Sequence, residues 1–254
     1  MASSVPQVSE LAAVVLAAGA GTRLRPLTWL RPKALCPVDN VPLVDWAVGA
    51  ARTMASAVAV NVHHGRPAME SHLAGRVHLS VEEPEALGTA GGVGNLRTWI
   101  DGRAVLTLNA DAWHDADLPA FVADWDQERV RVLVASETFG PRARVVASVL
   151  PWRDVELLEA RPMGLYERSW RPAQAAGRLD VVPHDGVFFD CGTPAGYLGA
   201  NLSASAGQSV IGPGAEVEGD VDECVVWPGG RVREHERLRR AIRASEHVTV
   251  LVRR

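Results

Sequence analysis

Ala13–Val38 reads AVVLAAGAGTRLRPLTWLRPKALCPV, and this stretch decides the fold. The apolar run Leu11–Ala18 has no polar alternation, which is typical of a strand buried on both faces of a parallel sheet. Gly19 and Gly21 follow at once and allow a sharp turn with close approach of bare backbone to a ligand. The loop then adds a hydroxyl group and two positive charges, from Thr22, Arg23 and Arg25. A strand that ends in a glycine-rich cationic loop predicts a phosphate site.

Two common phosphate loops do not fit this stretch. No lysine follows Gly21 as the Walker pattern requires, and Leu24 stands where the dinucleotide pattern has its third glycine. The whole run, with Arg-Pro-Lys downstream, resembles the signature of the sugar-1-phosphate nucleotidyltransferases, which make nucleotide sugars. The alternative is a tight strand-to-helix turn with solvated arginines. The resemblance implies nucleotide contacts from Leu16, Ala17, Ala18, Gly19, Gly21, Thr22 and Arg23.

The composition favours an ordinary globular protein. The 254 residues suffice for one large domain with a small appendage. A net charge of −4 gives no global attraction to nucleic acid or to an anionic membrane, and no apolar stretch is long enough to span one. Residues 1–10 are expected to form a loose leader. The cysteines have neither metal-ligand nor disulfide spacing, which predicts a cytoplasmic location: Cys36, Cys191 and Cys224.

Lys33 is the only lysine in the chain, where lysine and arginine together number 26. A coding bias explains the arginines, and a lysine that persists indicates a place where a compact ammonium fits better than a planar guanidinium. Chance survival is the alternative. In the family that Ala13–Val38 resembles, a lysine at this Pro-Lys position contacts the triphosphate. The resemblance therefore implies that Lys33 and Arg23 are catalytic cations.

Apolar periodicity predicts alternating strands and helices. This alternation is typical of a Rossmann-like α/β fold, with a mostly parallel sheet flanked by helices. His63 and His64 end the second strand on opposite faces, so we interpret them as packing or loop residues rather than a metal pair. Beyond the first strand, strands are predicted at 57–62, 77–81, 104–108 and 130–136, and helices at 43–55, 67–73, 118–127 and from about residue 89.

A second glycine-rich run, Glu82–Gly94, reads EEPEALGTAGGVG. Gly88 permits close backbone approach, and Thr89 is expected to cap the following helix. The run could be an ordinary capped loop. It also resembles the Leu-Gly-Thr-Ala-Gly motif of the same family, which lines the nucleotide and sugar pocket. The resemblance implies that Glu83, Gly88 and Thr89 bind the nucleotide.

Two aspartates follow predicted strands. Asp111 comes just after the strand at 104–108, where ligands bind in open α/β sheets, although an aspartate there can also cap a helix. Asp190 ends a strand and precedes Gly-Thr-Pro, which predicts a turn into a helix. Both match the family's metal-binding aspartates, so the resemblance implies a Mg²⁺ site. Cys191 replaces a more common apolar residue and is interpreted as packing.

The resemblance weakens between residues 139 and 178. The family usually carries a longer excursion here that holds the sugar phosphate, often with a second lysine, and this chain has none. The departure leaves the acceptor open and also allows a non-catalytic homologue that only binds nucleotide sugars. Four arginines could replace the lysine: Arg142, Arg144, Arg161 and Arg168.

The C-terminal segment changes character and predicts two domains, 1–205 and 206–254. Small and β-branched residues recur at a spacing near six, which resembles short left-handed β-helix coils. Because so few coils bury little apolar surface by themselves, they are expected to pack on the core or on another subunit, which would form a homo-oligomer. An acyltransferase, which β-helix coils can also suggest, is disfavoured because the coils are too few and no catalytic histidine accompanies them. The charged run 234–243 is interpreted as a solvated face.

The resemblance implies that NTP and a sugar 1-phosphate give NDP-sugar and pyrophosphate, with Mg²⁺ held by Asp111 and Asp190. Family frequency favours GTP with a mannose-like or heptose-like sugar 1-phosphate, above all mannose 1-phosphate, as in mannose-1-phosphate guanylyltransferases. Uridylyl transfer, including to N-acetylmuramate 1-phosphate, and thymidylyl transfer stay open. No nucleic-acid or membrane partner is expected.

Overall fold

The computed structural model describes residues 11–253, so the predicted leader at 1–10 lies outside the described residues. The described chain divides into two compact units. The first comprises residues 11–19, 47–110 and 114–187, and the second comprises 20–46, 111–113 and 188–253. The division into 1–205 and 206–254 stays a prediction.

Short strands and helices alternate along the chain. In chain order, the strands are β1 (Leu11–Leu16), β2 (Pro37–Val38), β3 (Val41–Pro42), β4 (Ala57–Val62), β5 (His78–Val81), β6 (Ala104–Asn109), β7 (Ala112–His114), β8 (Val130–Val134), β9 (Val145–Leu150), β10 (Leu179–Pro183), β11 (Phe188–Asp190), β12 (Val210–Ile211), β13 (Glu216–Val217), β14 (Asp220–Asp222), β15 (Val225–Val226), β16 (Arg231–Val232), β17 (Arg237–Arg239), β18 (Ala241–Arg243) and β19 (Thr249–Leu251). The α-helices are α1 (Leu27–Leu30), α2 (Leu43–Arg52), α3 (Arg66–Leu73), α4 (Gly88–Asn95), α5 (Arg97–Ile100), α6 (Leu118–Ala123), α7 (Trp152–Val155), α8 (Arg171–Ala175) and α9 (Pro194–Ala204).

The first unit is built on a seven-stranded sheet in the order β10-β8-β9-β6-β1-β4-β5. Neighbouring strands run parallel except β9, which is antiparallel to both β6 and β8. Residues 12–15 of β1 are fully buried, as expected for a central strand with helices on both faces. The predicted α/β fold with a mostly parallel sheet is confirmed. β1 ends at Leu16, which leaves Ala17 and Ala18 in the loop.

Helices α4, α5 and α7 bury one face of this sheet. Val93, Leu96 and Ile100 pack in one cluster with Val14 and Val105 from the strands. The region 139–178, where the sequence resemblance weakens, supplies β9, α7 and α8. The helix predicted at 118–127 ends at Ala123, because the chain turns there into β8.

In the second unit, helix α9 packs against the C-terminal strands. Tyr197 on α9 is fully buried; its hydroxyl donates to the carbonyl of Pro37 and accepts from Trp227 Nε1 at 2.9 Å. The guanidinium of Arg31 lies 4.5 Å from the centre of the Trp227 ring. Of the two packing modes expected for this segment, packing on the core is therefore observed.

The C-terminal strands stack as short parallel ladders. β12 pairs with β15 and β15 with β18, while β13 pairs with β16 and β14 with β17. Charged pairs link neighbouring strands, for example Arg239 to Asp222 at 3.0 Å. The prediction of a solvated face over 234–243 is wrong for its last three residues. Ala241–Arg243 is buried because β18 lies between β15 and β19.

Within residues 11–253, no helix combines the length and the apolar character that crossing a membrane requires.

Candidate active site

Four charged side chains that were predicted to be catalytic lie together in the second unit: Arg23, Lys33, Asp111 and Asp190. Lys33 Nζ donates to Asp111 Oδ2 at 2.5 Å, and Arg23 Nη2 donates to Asp190 Oδ2 at 3.2 Å. The Lys33 side chain is only 8% exposed, whereas the two carboxylates are 47% and 44% exposed. A buried cation thus stands beside two carboxylates that a ligand can reach.

Gly192 joins the two ion pairs into one charged cluster. A Cβ atom at this position would lie 2.6 Å from Asp190 Oδ1, 2.7 Å from Arg23 Nη2 and 2.8 Å from Lys33 Nζ. The Gly192 amide also donates to Asp190 Oδ1 at 2.7 Å. The missing side chain therefore makes room for the cluster. The sequence predicts only a turn at Gly192.

A small sheet and a capped helix hold the two aspartates. β7 pairs with β11, and the Cys191 amide donates to the Asp111 carbonyl at 2.9 Å. Helix α9 begins directly afterwards, and its N-cap Thr193 accepts from the Gly196 amide at 3.2 Å. The backbone around both carboxylates is therefore fixed by local hydrogen bonds.

The thiols near the cluster are inert. Cys36 and Cys191 are fully buried. Burial raises the pKa of the Cys36 thiol to about 12, and burial together with the nearby Asp111 carboxylate raises the pKa of Cys191 as well. Because the thiolate is the reactive form, neither cysteine can act as a nucleophile at neutral pH. This agrees with the interpretation of Cys191 as a packing residue.

The first half of the glycine loop lies in the first unit and is held by its neighbours. The Ala17 amide donates to Asn61 Oδ1 at 2.6 Å, and Nδ1 of His64 donates to the Ala18 carbonyl at 2.9 Å. The Leu16 carbonyl accepts a hydrogen bond from the Ala110 amide at 3.0 Å. The Ala17 amide is therefore already engaged. His64 is a loop-supporting residue, consistent with the interpretation from sequence.

The second half of the loop lies in the second unit. Gly21 has φ +63°, and a Cβ atom there would lie 2.8 Å from Cβ of Lys33. Its carbonyl accepts from Thr28 Oγ1 at 3.1 Å. Glycine is required at this position for the left-handed backbone and for the close approach of Lys33. Gly19 and Thr22 are exposed.

The second glycine-rich run differs from its expected geometry. Helix α4 begins at Gly88 without a side-chain cap, so the prediction that Thr89 caps it is wrong. Thr89 Oγ1 instead accepts from the Leu165 amide at 2.8 Å, and a Cβ at Gly88 would lie 2.7 Å from the Met163 carbonyl oxygen. The run therefore packs closely against the segment around Met163. The exposed Glu83 pairs with Arg66.

Glu82, next to the predicted Glu83, is the buried carboxylate of this region. It is 1% exposed; Oε1 accepts from Asn61 Nδ2 at 2.6 Å and Oε2 accepts from the Leu87 amide at 2.7 Å. Asn61 in turn holds the Ala17 amide. Glu82 therefore braces both glycine-rich runs through one network. The sequence carried no signal that separates Glu82 from Glu83.

We expect Glu82→Gln to lower the free energy of unfolding by about 1–3 kcal/mol, because the new amide presents a donor to a donor in a buried site. Glu83→Gln removes the same charge one residue away on an exposed side chain and should stay within about 0.5 kcal/mol of wild type. Urea unfolding of both variants measures the difference. Equal stability of Glu82→Gln and Glu83→Gln would contradict a stabilising role for the buried hydrogen bonds of Glu82.

A cavity of about 270 Å³ opens in the first unit at the carboxyl ends of β1 and β6. Leu16 and Asn109 line it from these strands, and Thr89 lines it from α4. A short π-helix, Tyr166–Trp170, contributes Tyr166, Glu167 and Trp170. The Trp170 indole N–H is buried and has no acceptor among the described residues. The cavity thus combines aromatic surface with a few polar groups, as small-molecule pockets do.

The four arginines proposed from sequence in place of the second lysine differ in their partners. Arg161 and Arg168 both lie within ion-pair distance of Glu159. Arg142 and Arg144 form no ion pair with any carboxylate among residues 11–253 and alternate with cavity-lining Pro141, Ala143 and Val145.

The donor set near the charged cluster suits one particular kind of metal ion. In residues 11–253, no group of three or more histidine, cysteine, aspartate or glutamate side chains is arranged to hold a metal ion. Mg²⁺, however, is commonly held by one or two carboxylates together with water and substrate phosphates. Asp111 and Asp190, both about half exposed, fit that description.

His114 is a half-buried histidine at the end of β7. Burial, with a smaller contribution from the neighbouring His184, lowers its pKa from 6.5 to about 4, although the nearby Asp115 opposes this. The folded state therefore disfavours the protonated ring, whereas the unfolded state protonates it at about pH 6.5. His114 consequently contributes to stability above pH 6.5, and this contribution is lost as the pH falls towards 4.

We expect the wild-type protein to lose up to about 3 kcal/mol of stability relative to His114→Gln between pH 6.5 and pH 4. Glutamine keeps the size and polarity of the ring but does not titrate. Urea unfolding of both proteins at several pH values measures this difference. Parallel stability curves would show that His114 does not carry the effect.

Comparison with known proteins defines the family. Residues 12–142, just over half of the chain, match the model of the nucleotidyl transferase family. This matched region contains both glycine-rich runs and Asp111. The chain belongs to the nucleotidyl transferase family.

Two curated relatives share part of this region. The N-acetylmuramate alpha-1-phosphate uridylyltransferase of Caulobacter vibrioides is 39% identical over 143 residues, covering 50% of this chain and 58% of the relative. The protein of the same name from Neisseria meningitidis serogroup B is 32% identical over 116 residues, covering 42% of this chain and 50% of the relative. The chain thus spans about half the length of these two relatives.

A solved structure shares the fold over almost the whole chain. The Thermus thermophilus protein described as a mannose-1-phosphate geranyltransferase has a TM-score of 0.69 at 18% identity and covers 95% of both chains. This likeness extends to the C-terminal strands.

Proposed function

We propose that the protein joins an NTP to a sugar 1-phosphate and releases pyrophosphate. The observation that carries the proposal is the cluster of Arg23, Lys33, Asp111 and Asp190, in a chain of this family. Two highly charged anions must meet in this reaction, so the site has to supply positive charge. A buried lysine beside two exposed carboxylates supplies a fixed cation and a place for a divalent one.

The chemistry needs no covalent intermediate on the protein. An oxygen of the sugar phosphate forms a bond to the α-phosphorus, and the bond between this phosphorus and the oxygen of the leaving pyrophosphate breaks. Lys33 and Arg23 neutralise charge on the departing pyrophosphate, and their ion pairs hold them in place beforehand. When bound by Asp111 and Asp190, Mg²⁺ supplies further neutralisation of the phosphates. Positioning and electrostatics therefore carry the rate.

For the nucleotide we propose the glycine loop and the second glycine-rich run. The exposed Gly19 and Thr22 offer backbone and hydroxyl groups to phosphates, while the engaged amide of Ala17 contributes by fixing the loop. The other proposed contacts are Leu16, Ala18, Gly21, Glu83, Gly88 and Thr89.

For the acceptor phosphate we propose Arg142 and Arg144. They are sequence neighbours of the cavity-lining Pro141, Ala143 and Val145, and they form no ion pair with carboxylates in the described chain, whereas Arg161 and Arg168 are paired with Glu159. A guanidinium binds phosphate oxygens bidentately, so arginines can take over from a lysine here.

For the donor we propose UTP, because both curated relatives are named uridylyltransferases. GTP, favoured by family frequency, is the competing donor. We further propose Mg²⁺ dependence, a cytoplasmic location, and a C-terminal domain of left-handed β-helix coils from residue 206 that supports a homo-oligomer. The stacked parallel ladders support the coils.

We expect Gly192→Ala to lower kcat/KM about 100-fold, because a methyl group displaces the tips of three charged side chains. Gly140→Ala is the matched control, since its Cβ meets no atom within 4 Å. Steady-state kinetics compare the two with wild type, and circular dichroism checks their folding. Undiminished turnover in Gly192→Ala would contradict a role for the charged cluster in the reaction.

Pyrophosphate release with Mg²⁺ tests the proposal. Each of UTP, GTP, dTTP, ATP and CTP is paired with glucose, mannose, N-acetylglucosamine and N-acetylmuramate 1-phosphates. We expect one donor, UTP, to be productive. Silence across the panel, with nucleotide sugars still raising Tm, would overturn the enzyme proposal in favour of a binding homologue, which the missing second lysine favours.

A further inference from the structure

We infer that the cavity of the first unit selects a neutral sugar and rejects an acidic one through Glu167. This inference rests on the proposed function, because it takes the cavity as the acceptor-sugar site. It concerns the sugar class, which family membership leaves open.

The charge of the lining carries the inference. Glu167 is the one lining residue with a charged side chain, and within the described chain no lysine, arginine or histidine lines the cavity. An ionised carboxylate only accepts hydrogen bonds, so it suits sugar hydroxyls, which can donate. Inside the cavity, a carboxylate on the sugar would face this like charge, and no basic side chain among the described lining residues would offset it.

The exposed Glu167 side chain places its carboxylate beside Gly164, which also lines the cavity. A Cβ at the lining residue Gly164 would lie 2.3 Å from Glu167 Oε2, so the carboxylate folds back over that glycine. Glu167 forms no ion pair with a basic side chain in the part of the chain that the structure describes. Its charge is therefore not neutralised by a protein cation.

The remaining lining also suits a neutral ring. The cavity of about 270 Å³ lies just below the range of about 300–1,000 Å³ for small-molecule pockets, which fits one sugar ring. Tyr166 and Trp170 offer apolar surface to its C–H faces.

The names of the two curated relatives lead to a different expectation for the acceptor sugar. Both are named for N-acetylmuramate 1-phosphate, which differs from N-acetylglucosamine 1-phosphate by an added lactyl carboxylate. Transfer of that name would predict the acidic sugar. The cavity of this chain predicts the neutral one.

The experiment compares three acceptors with the productive nucleotide: N-acetylglucosamine 1-phosphate, N-acetylmuramate 1-phosphate and the lactyl amide of the latter. The amide matches the acidic sugar in size but carries no carboxylate. We expect kcat/KM to be about tenfold lower for the acid than for its amide, as for like charges in a partly hydrated site. Glu167→Gln should abolish that difference, and the exposed control Glu137→Gln should retain it.

Each outcome decides the inference. Equal or better use of the acid than of its amide, unaltered in Glu167→Gln, would overturn it while the proposed function stands. If no acceptor turns over, the proposed function fails, and binding still tests the inference. Calorimetry with UDP-N-acetylglucosamine, UDP-N-acetylmuramate and the lactyl amide of the latter should then show the acid binding about tenfold more weakly than its amide, with loss of the difference in Glu167→Gln. Tighter binding of the acid by wild type would overturn it.

Discussion

Asp111→Asn and Asp190→Asn should each reduce turnover about 1,000-fold while leaving the fold intact. A loss of about 1,000-fold is the upper end of the range for removing one preorganised electrostatic group. Asparagine keeps the shape and one oxygen of each side chain, so Lys33 and Arg23 keep an acceptor. The substitutions remove the negative charge that a hard divalent cation prefers. Initial rates at several Mg²⁺ concentrations measure the effect, and we expect half-maximal activity to need more Mg²⁺.

The exposed Asp101, in the turn after α5, provides the matched control. Its φ of 49° is left-handed, a conformation that asparagine also tolerates, so Asp101→Asn should leave rate and stability unchanged. Wild-type rates in either Asp111→Asn or Asp190→Asn would contradict the proposed metal site. A matching loss in Asp101→Asn would show a non-specific charge effect instead.

Lys33→Met should lower kcat/KM about 100-fold, because it removes a preorganised cation from the charged cluster. Methionine matches the length of the buried stem, and the partner Asp111 is 47% exposed, so its carboxylate can be hydrated after the ammonium is lost. We therefore expect the loss in rate to exceed the loss in stability. Steady-state kinetics and urea unfolding of one preparation separate the two effects.

Lys33→Arg refines this prediction. The Lys33 side chain is only 8% exposed, and a Cβ at Gly192 would lie 2.8 Å from its Nζ, so the wider guanidinium would have to displace its neighbours to take the place of the ammonium. We expect its rate to resemble that of Lys33→Met. Loss of one preorganised group typically costs about 100-fold in rate. If kcat/KM fell less than about threefold in both variants, this would contradict a role for Lys33 in the reaction.

The sequence predicted the parts of the site that depend on local chemistry. The apolar run before Gly19 predicts a buried strand, and the spacing of later strands predicts a mostly parallel sheet. The sequence also points to the unique Lys33 and to the two aspartates that follow strands. Their meeting in one cluster needs tertiary contacts, and it depends on Gly192, whose role no local pattern reveals.

Other features escaped prediction because they depend on partners distant in sequence. Thr89 has the chemistry of a helix cap but instead accepts from the Leu165 amide. Glu82 and Glu83 look equivalent in sequence, yet one is buried by Asn61 and Leu87 while the other is exposed. Ala241–Arg243 follows a charged run and is nevertheless buried between neighbouring strands.

Mass spectrometry of the products tests the central claim most directly. Wild-type protein is incubated with Mg²⁺, UTP and the sugar 1-phosphates, and nucleotide sugar and pyrophosphate are quantified together. We expect equal amounts of the two products, formed only when both substrates are present and lost in Asp111→Asn. Pyrophosphate without nucleotide sugar, or neither product with any donor and acceptor, would contradict it.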